Sequence, residues 1–206
     1  MDADANHRHW AERSGEFSPT YYAQLGPNKV SRRLVDVVEA YIDEQPVSIL
    51  ELGCSSGRHL AHFLDQGFED LHGIDLNDES FAVMDDYFPD LVETGLFRTG
   101  SIEDVVSEYP ESQFDVVYSV ETLQHVHPDN KWVFDELARI TSDLLVTVEN
   151  EGDRSSAGDS ENGVRLVNGE FPIYYRNWKQ IFTDCGLIAL KSASCGRDTI
   201  RVFQYP

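Results

Sequence analysis

The chain has 206 residues, 41% of them hydrophobic, with 37 acidic against 16 basic side chains and a formal charge of −21. That length and apolar content suit one folded domain with a full core, and no run reaches the roughly 18 apolar residues of a membrane helix. The acids are spread along the chain among aromatic and aliphatic residues, the pattern of a folded protein with an acidic surface rather than of a disordered tail.

Such a surface disfavours nucleic acid and anionic membranes, because phosphate recognition needs a basic footprint. It fits a salt-rich cytoplasm, where the Debye length falls to about 3 Å at molar salt. A basic protein partner is the alternative use of so much acid. The three cysteines, Cys54, Cys185 and Cys195, show no C-x-x-C spacing, and MDADANHRHW has no apolar core behind a basic start. The expectation is a reduced cytoplasmic protein with no metal site.

In chain order, residues 1–27 are polar and aromatic, with Trp10, Phe17, Tyr21 and Tyr22, and Gly26-Pro27-Asn28 is a break. Val30, Leu34, Val37, Val38 and Tyr41 then recur at helical spacing. A strand is expected over 47–52, a helix over 58–66, a strand over 71–76, and a helix capped by Asn77 or Asp78. Strands at 96–99, 114–120 and 144–149 follow, with a helix over about 130–140. The strands are continuous apolar runs, as in parallel sheets covered on both faces. Right-handed crossovers then give a doubly wound sheet that binds ligands at the carboxyl ends of its strands. Beyond Glu149 a Gly/Ser-rich stretch over 151–163 reads as a loop or lid. A hairpin turning on Asn168-Gly169, a helix over 175–184 and two closing strands complete the chain.

Residues 51–57, ELGCSSG, carry the chemistry. Gly53 and Gly57 let the backbone turn sharply and a ligand approach closely, and the next helix points its N-terminus at the same place. Asp75 ends the following strand, where an acid accepts hydrogen bonds from ribose hydroxyls. The spacing is G-x-x-x-G, not the G-x-G-x-x-G of dinucleotide binding, which counts against an NAD-dependent oxidoreductase. A non-catalytic nucleoside-binding protein is a further alternative.

On Glu51, Gly53, Ser55 and Gly57 in the first motif, Asp75 in GIDLN, Ser101-Ile102 in RTGSIEDV and the segment FDVVYSVETLQHVHP, the chain resembles the class I S-adenosylmethionine-dependent methyltransferases. It departs from them in Ser55, where the middle glycine is usual, and in Ser101, where an aspartate is more usual. The resemblance implies an α/β, doubly wound Rossmann-like fold with a seven-stranded, mostly parallel sheet, helices on both faces and an N-terminal helical cap. It implies one methyltransferase domain over 1–206: cap 1–45, cofactor core 46–150, and lid, hairpin and closing strands 151–206. It implies S-adenosylmethionine as cofactor, held by Glu51, Gly53, Cys54, Ser55, Gly57, Asp75, Leu76, Ser101, Ile102 and Ser119, with Tyr21 as an aromatic cover.

His125, after the fourth strand, is either a packing residue of its turn or a general base, and Glu149 at the fifth strand's end is either a polar strand end or a second catalytic group. Glu121 and Tyr22 are candidates for contact with a small-molecule acceptor. Arg176 is a candidate for an anionic acceptor or for a surface ion pair. Glu121, His125 and His127 are too loosely spaced for a metal.

Overall fold

The computed structural model describes residues 2–43, 46–152, 164–167 and 171–206. The expected lid over 151–163 and the expected turn at Asn168-Gly169 lie almost wholly outside them. Three helices open the chain: α1 (Ala3–Ala11), α2 (Pro19–Leu25) and α3 (Lys29–Tyr41). Asn28 starts α3 with a reciprocal cap, its side chain accepting from Val30 and Ser31 while the Ser31 hydroxyl accepts from the Asn28 N–H. Then come β1 (Ser48–Leu52), α4 (Arg58–Asp65), β2 (Asp70–Asp75), α5 (Glu79–Tyr87), α6 (Pro89–Thr94), β3 (Leu96–Thr99) and α7 (Ile102–Val105). The rest is β4 (Phe114–Val120), α8 (Val133–Ile140), β5 (Thr141–Glu149), β6 (Val164–Val167), β7 (Phe171–Tyr174), α9 (Trp178–Asp184), β8 (Ile188–Cys195) and β9 (Asp198–Gln204).

Seven strands form one sheet in the order β3-β2-β1-β4-β5-β9-β8. β1 to β5 pair in parallel, and β9 alone runs the other way, between β5 and β8. β6 and β7 make a separate antiparallel pair. The expected seven-stranded Rossmann-like sheet is present.

Its apolar runs are buried on both faces, as their unbroken hydrophobicity requires. Ile49, Val116, Val146 and Val202 face a core completed by Leu34 and Val38 of α3 and Phe63 of α4. Their neighbours Leu50, Val117, Leu145 and Phe203 face a second core with Leu137 of α8 and Trp178 and Phe182 of α9. An irregularity between Phe114 and Val116 breaks the alternation in β4, so Phe114 joins the second core although Val116 joins the first. The crossovers after β1 and β4 lie on opposite faces, which opens a crevice at the carboxyl ends of those two strands.

Candidate active site

β1 ends in Glu51 and Leu52, and the chain turns through left-handed residues at Gly53 (φ 68°), Ser55 (φ 49°) and Gly57 (φ 77°) before α4 begins. A Cβ on Gly53 would come within 2.5 Å of the Thr122 side chain. Gly53 therefore lets the turn after β4 close onto the turn after β1. A Cβ on Gly57 would strike Leu91 at 2.7 Å and Met84 at 2.8 Å, so this glycine seats α4 against α5 and α6. Its N–H donates to Cys54 O at 2.8 Å. The two glycines serve different ends, and only Gly53 lines the crevice.

Ser55 takes its left-handed conformation without being glycine, and its N–H donates to Asp75 Oδ2 at 2.7 Å. Asp75 Oδ1 accepts from the Asn77 N–H and from Ser80 Oγ, both at 2.9 Å. Asp75 thus ties the ends of β1 and β2 together. A carboxylate has about four acceptor positions, so one on Oδ2 remains for a ligand hydroxyl. Glu51 is fully buried and accepts from the Tyr118 hydroxyl at 2.9 Å. Burial pushes its carboxyl up to about 8.

These groups line a cavity of about 190 Å³. Leu76 and Ile102 form its apolar wall at the ends of β2 and β3, and Cys54 and Ser101 lie beside them. The Ser101 hydroxyl donates to Asp104 Oδ2 at 2.7 Å and accepts the Asp104 N–H at 3.0 Å, which caps α7.

The roof is α1. Asn6 Nδ2 donates to His125 O at 2.7 Å, His7 Nε2 meets Glu103 Oε1 at 3.2 Å, and Asn77 Nδ2 reaches back to Arg13 O at 3.3 Å. Trp10 packs on His125 and Phe171, with ring centroids 4.7 and 4.8 Å away. α1 and the residues just after it therefore touch the loops after β2 and β4, the first turn of α7 and the start of β7.

The far wall holds Tyr22, Arg58, His59, Glu121 and Arg197. The Arg58 guanidinium lies 4.6 Å from the centre of the Tyr22 ring. Burial pushes the Tyr22 hydroxyl up to about 12. Glu121, left-handed at φ 53°, pairs with Arg197 at 2.5 Å.

The turn after β4 is clamped from below. Glu149 is wholly buried. Its Oε1 accepts from Ser119 Oγ at 2.7 Å and from the N–H groups of Thr122 and Leu123 at 3.2 and 3.0 Å, and its Oε2 accepts from the Gln124 N–H at 3.1 Å. Arg176 donates to Leu123 O at 3.0 Å and to Val126 O. Glu149, Ser119 and Arg176 sit outside the cavity lining. So does Tyr21, whose ring packs on Phe17 and Tyr22. His125 does line the cavity, but both ring nitrogens are engaged: Nδ1 lies 3.0 Å from Pro172 O, and Nε2 lies 3.3 Å from Gln124 Nε2. A carbonyl only accepts, so Nδ1 carries the proton. Burial lowers the ring to about 4.

The first motif, the two strand-end acids Glu51 and Asp75, Leu76, Ser101, Ile102, Tyr22, Glu121 and His125 thus meet at one cavity, with Gly57 standing behind it. Sequence reasoning missed Asn6, Arg58, His59 and Arg197. Arg58 and His59 follow Gly57 directly and had a signal in their position at the helix start. Asn6 had none, because a lone asparagine in a polar segment is unremarkable. Among the described residues no three His, Cys, Asp or Glu side chains are grouped to hold a metal, and no helix is long and apolar enough to cross a membrane.

A family model described as a methyltransferase domain matches residues 50–143. No curated protein matches the chain. Solved structures do. A chain in the complex of the Haloferax volcanii Trm112 methyltransferase activator with a methyltransferase is 16% identical, at TM-score 0.67 over 84% of this chain and 88% of that one. The 1,6-didemethyltoxoflavin-N1-methyltransferase of Burkholderia thailandensis, solved with 1,6-didemethyltoxoflavin and S-adenosylhomocysteine, is 15% identical, at TM-score 0.65 over 86% and 77%. The cyclase SpnF is 14% identical, at TM-score 0.68 over 96% and 86%. At such identities these neighbours share the fold.

Proposed function

We propose that this chain is a class I S-adenosylmethionine-dependent methyltransferase that acts on a small-molecule acceptor. The observation that carries this reading is the roof: α1 and Phe171 of β7 close over the carboxyl ends of the strands, and the space left is a cavity of about 190 Å³. A compact acceptor fits beneath that roof more readily than a base in a duplex or a residue in a folded protein.

The residues present fit the donor. Gly53 leaves no room for a side chain where the two turns meet, Asp75 keeps an acceptor for a ribose hydroxyl, and Glu51 offers a buried carboxyl to an ammonium group. Leu76 and Ile102 provide an apolar slot for the base. S-adenosylmethionine supplies a methyl group on a positively charged sulfur. The protein's part is to hold the acceptor in line with that methyl and to keep water out, effects worth about 7–11 kcal/mol in favourable cases. The aromatic wall at Tyr22 and the Glu121–Arg197 pair are the acceptor's side of the cavity. His125 is neutral, engaged at both nitrogens and a weak base at neutral pH, so we assign it to positioning the turn. An acceptor that arrives with a free lone pair needs no base.

Calorimetry in molar KCl with S-adenosylmethionine, S-adenosylhomocysteine and NAD tests the donor site. The expected result is micromolar binding of both sulfur nucleosides and none of NAD. A screen for S-adenosylhomocysteine release then tests the acceptor. Turnover on small molecules supports the reading, and turnover confined to protein or nucleic acid overturns it.

A further inference from the structure

Asn6 is the residue that α1 buries, at 2% exposure, and it lines the cavity. Its amide is oriented by chemistry. His125 O can only accept, so the group 2.7 Å from it is Nδ2. Oδ1 is then on the other side of the amide, buried and without a hydrogen-bond partner. A buried carbonyl left unpaired is costly, and its natural complement is an N–H on a ligand.

The position of that carbonyl narrows the ligand group. Asn6 is anchored on the loop after β4, and the next residue, His7, is anchored on Glu103 in the first turn of α7. The orphaned acceptor therefore lies between the segments that follow β3 and β4, in the same cavity as Leu76 and Ile102. Ser101, expected among the cofactor's contacts, is already committed: its proton goes to Asp104 Oδ2 and one lone pair takes the Asp104 N–H. Adenine brings two N–H groups on its 6-amino edge, and these need an acceptor. Trp10, one turn along α1, adds a buried indole N–H that also has no partner.

We infer that Asn6 reads the 6-amino group of the donor's adenine through its Oδ1, so that the cap helix α1, rather than the turn at Ser101, discriminates the base. This rests on the reading that S-adenosylmethionine occupies this cavity. It makes closure of α1 and recognition of adenine one event, since the same amide also holds the helix to His125 O.

The test compares S-adenosylhomocysteine with S-inosylhomocysteine, in which a carbonyl replaces the amino group and would face the Asn6 carbonyl. Binding of both is measured calorimetrically to the whole chain, the Asn6→Leu variant and the Ser101→Ala variant, each checked for folding by circular dichroism. The unmodified chain is expected to prefer the adenine compound by roughly tenfold, the order of one net hydrogen bond. Asn6→Leu weakens both compounds through loss of the His125 contact and brings the preference to within about twofold. Ser101→Ala keeps the preference. If Asn6→Leu weakens both equally and the preference persists, Asn6 only docks the helix and the inference fails. It fails equally if Ser101→Ala is the change that abolishes the preference. If the folded, unmodified chain binds neither compound, the cofactor reading itself falls, an outcome separate from equal binding of the two.

Discussion

Glu149 and Glu51 occupy the same formal place, the end of a parallel strand beside the crevice, yet they have opposite jobs. Glu149 gathers one hydroxyl and three backbone N–H groups of the turn after β4. Glu149→Ala leaves those donors buried and unpaired, so thermal unfolding is expected to show a loss on the order of 2–4 kcal/mol. A variant with normal stability and abolished turnover would instead make Glu149 catalytic. Glu51 has one partner, Tyr118, and a carboxyl raised to about 8 by burial. An ammonium group beside it favours the charged form, so donor binding below pH 8 is expected to release a proton and to tighten as pH rises toward 8. Calorimetry in two buffers of different ionisation enthalpy counts that proton, and Glu51→Gln removes both the proton and the pH dependence. The strand-end acids Glu51 and Asp75 were legible because a glycine turn and a nucleoside pattern came with them. Glu149 and Arg176 were not, because a sequence shows that an acid ends a strand and not whether it turns to the ligand or to the next loop.

At the scale of elements, what was legible followed hydrophobic pattern. The parallel strands appear as unbroken apolar runs because helices cover both faces, and α3 and α4 have apolar stripes at helical spacing. α7 is four residues long, too short for any period to show. α1 was expected only as part of a helical cap over 1–45, and its own bounds were not legible because it docks by polar side chains, Asn6 and His7, and by one aromatic, Trp10. A lid over 151–163 and a helical cap over 1–45 were both expected; the lid lies almost wholly outside the described residues, and among them α1 covers the cavity. Such a roof has to open to admit ligand. Trypsin cleavage after Arg8 and Arg13, mapped by mass spectrometry, is therefore expected to slow when S-adenosylhomocysteine is present. Trp10→Ala, which removes the contacts with His125 and Phe171, is expected to weaken that binding by on the order of tenfold and to abolish the protection. Equal cleavage with and without the nucleoside would mean that α1 is not the gate.

For the whole molecule, two kinds of carboxylate act on stability, and salt separates them. Burial first, and for Asp198 the nearby Glu121 carboxylate next, pushes Glu51 up to about 8 and Glu149 and Asp198 up to about 7, from ordinary values of 4.5, 4.5 and 3.8. The unfolded chain releases these protons near pH 4, and the folded chain keeps them to pH 7 or 8. Between those limits the folded state binds more protons, so its stability falls as pH rises. The formal charge of −21 adds a second penalty, since surface carboxylates repel one another once ionised. Molar KCl cuts the Debye length to about 3 Å and screens the surface term, but it hardly reaches groups under the sheet's own side chains. Melting temperature measured from pH 5 to pH 8, at low salt and in molar KCl, is therefore expected to rise with salt at every pH while keeping most of its downward slope. Saturating S-adenosylmethionine flattens that slope, because the ammonium next to Glu51 supplies the partner that lets the carboxylate ionise in place. A slope that vanishes in molar KCl without ligand would assign the pH dependence to the acidic surface and leave the buried acids without a part in it.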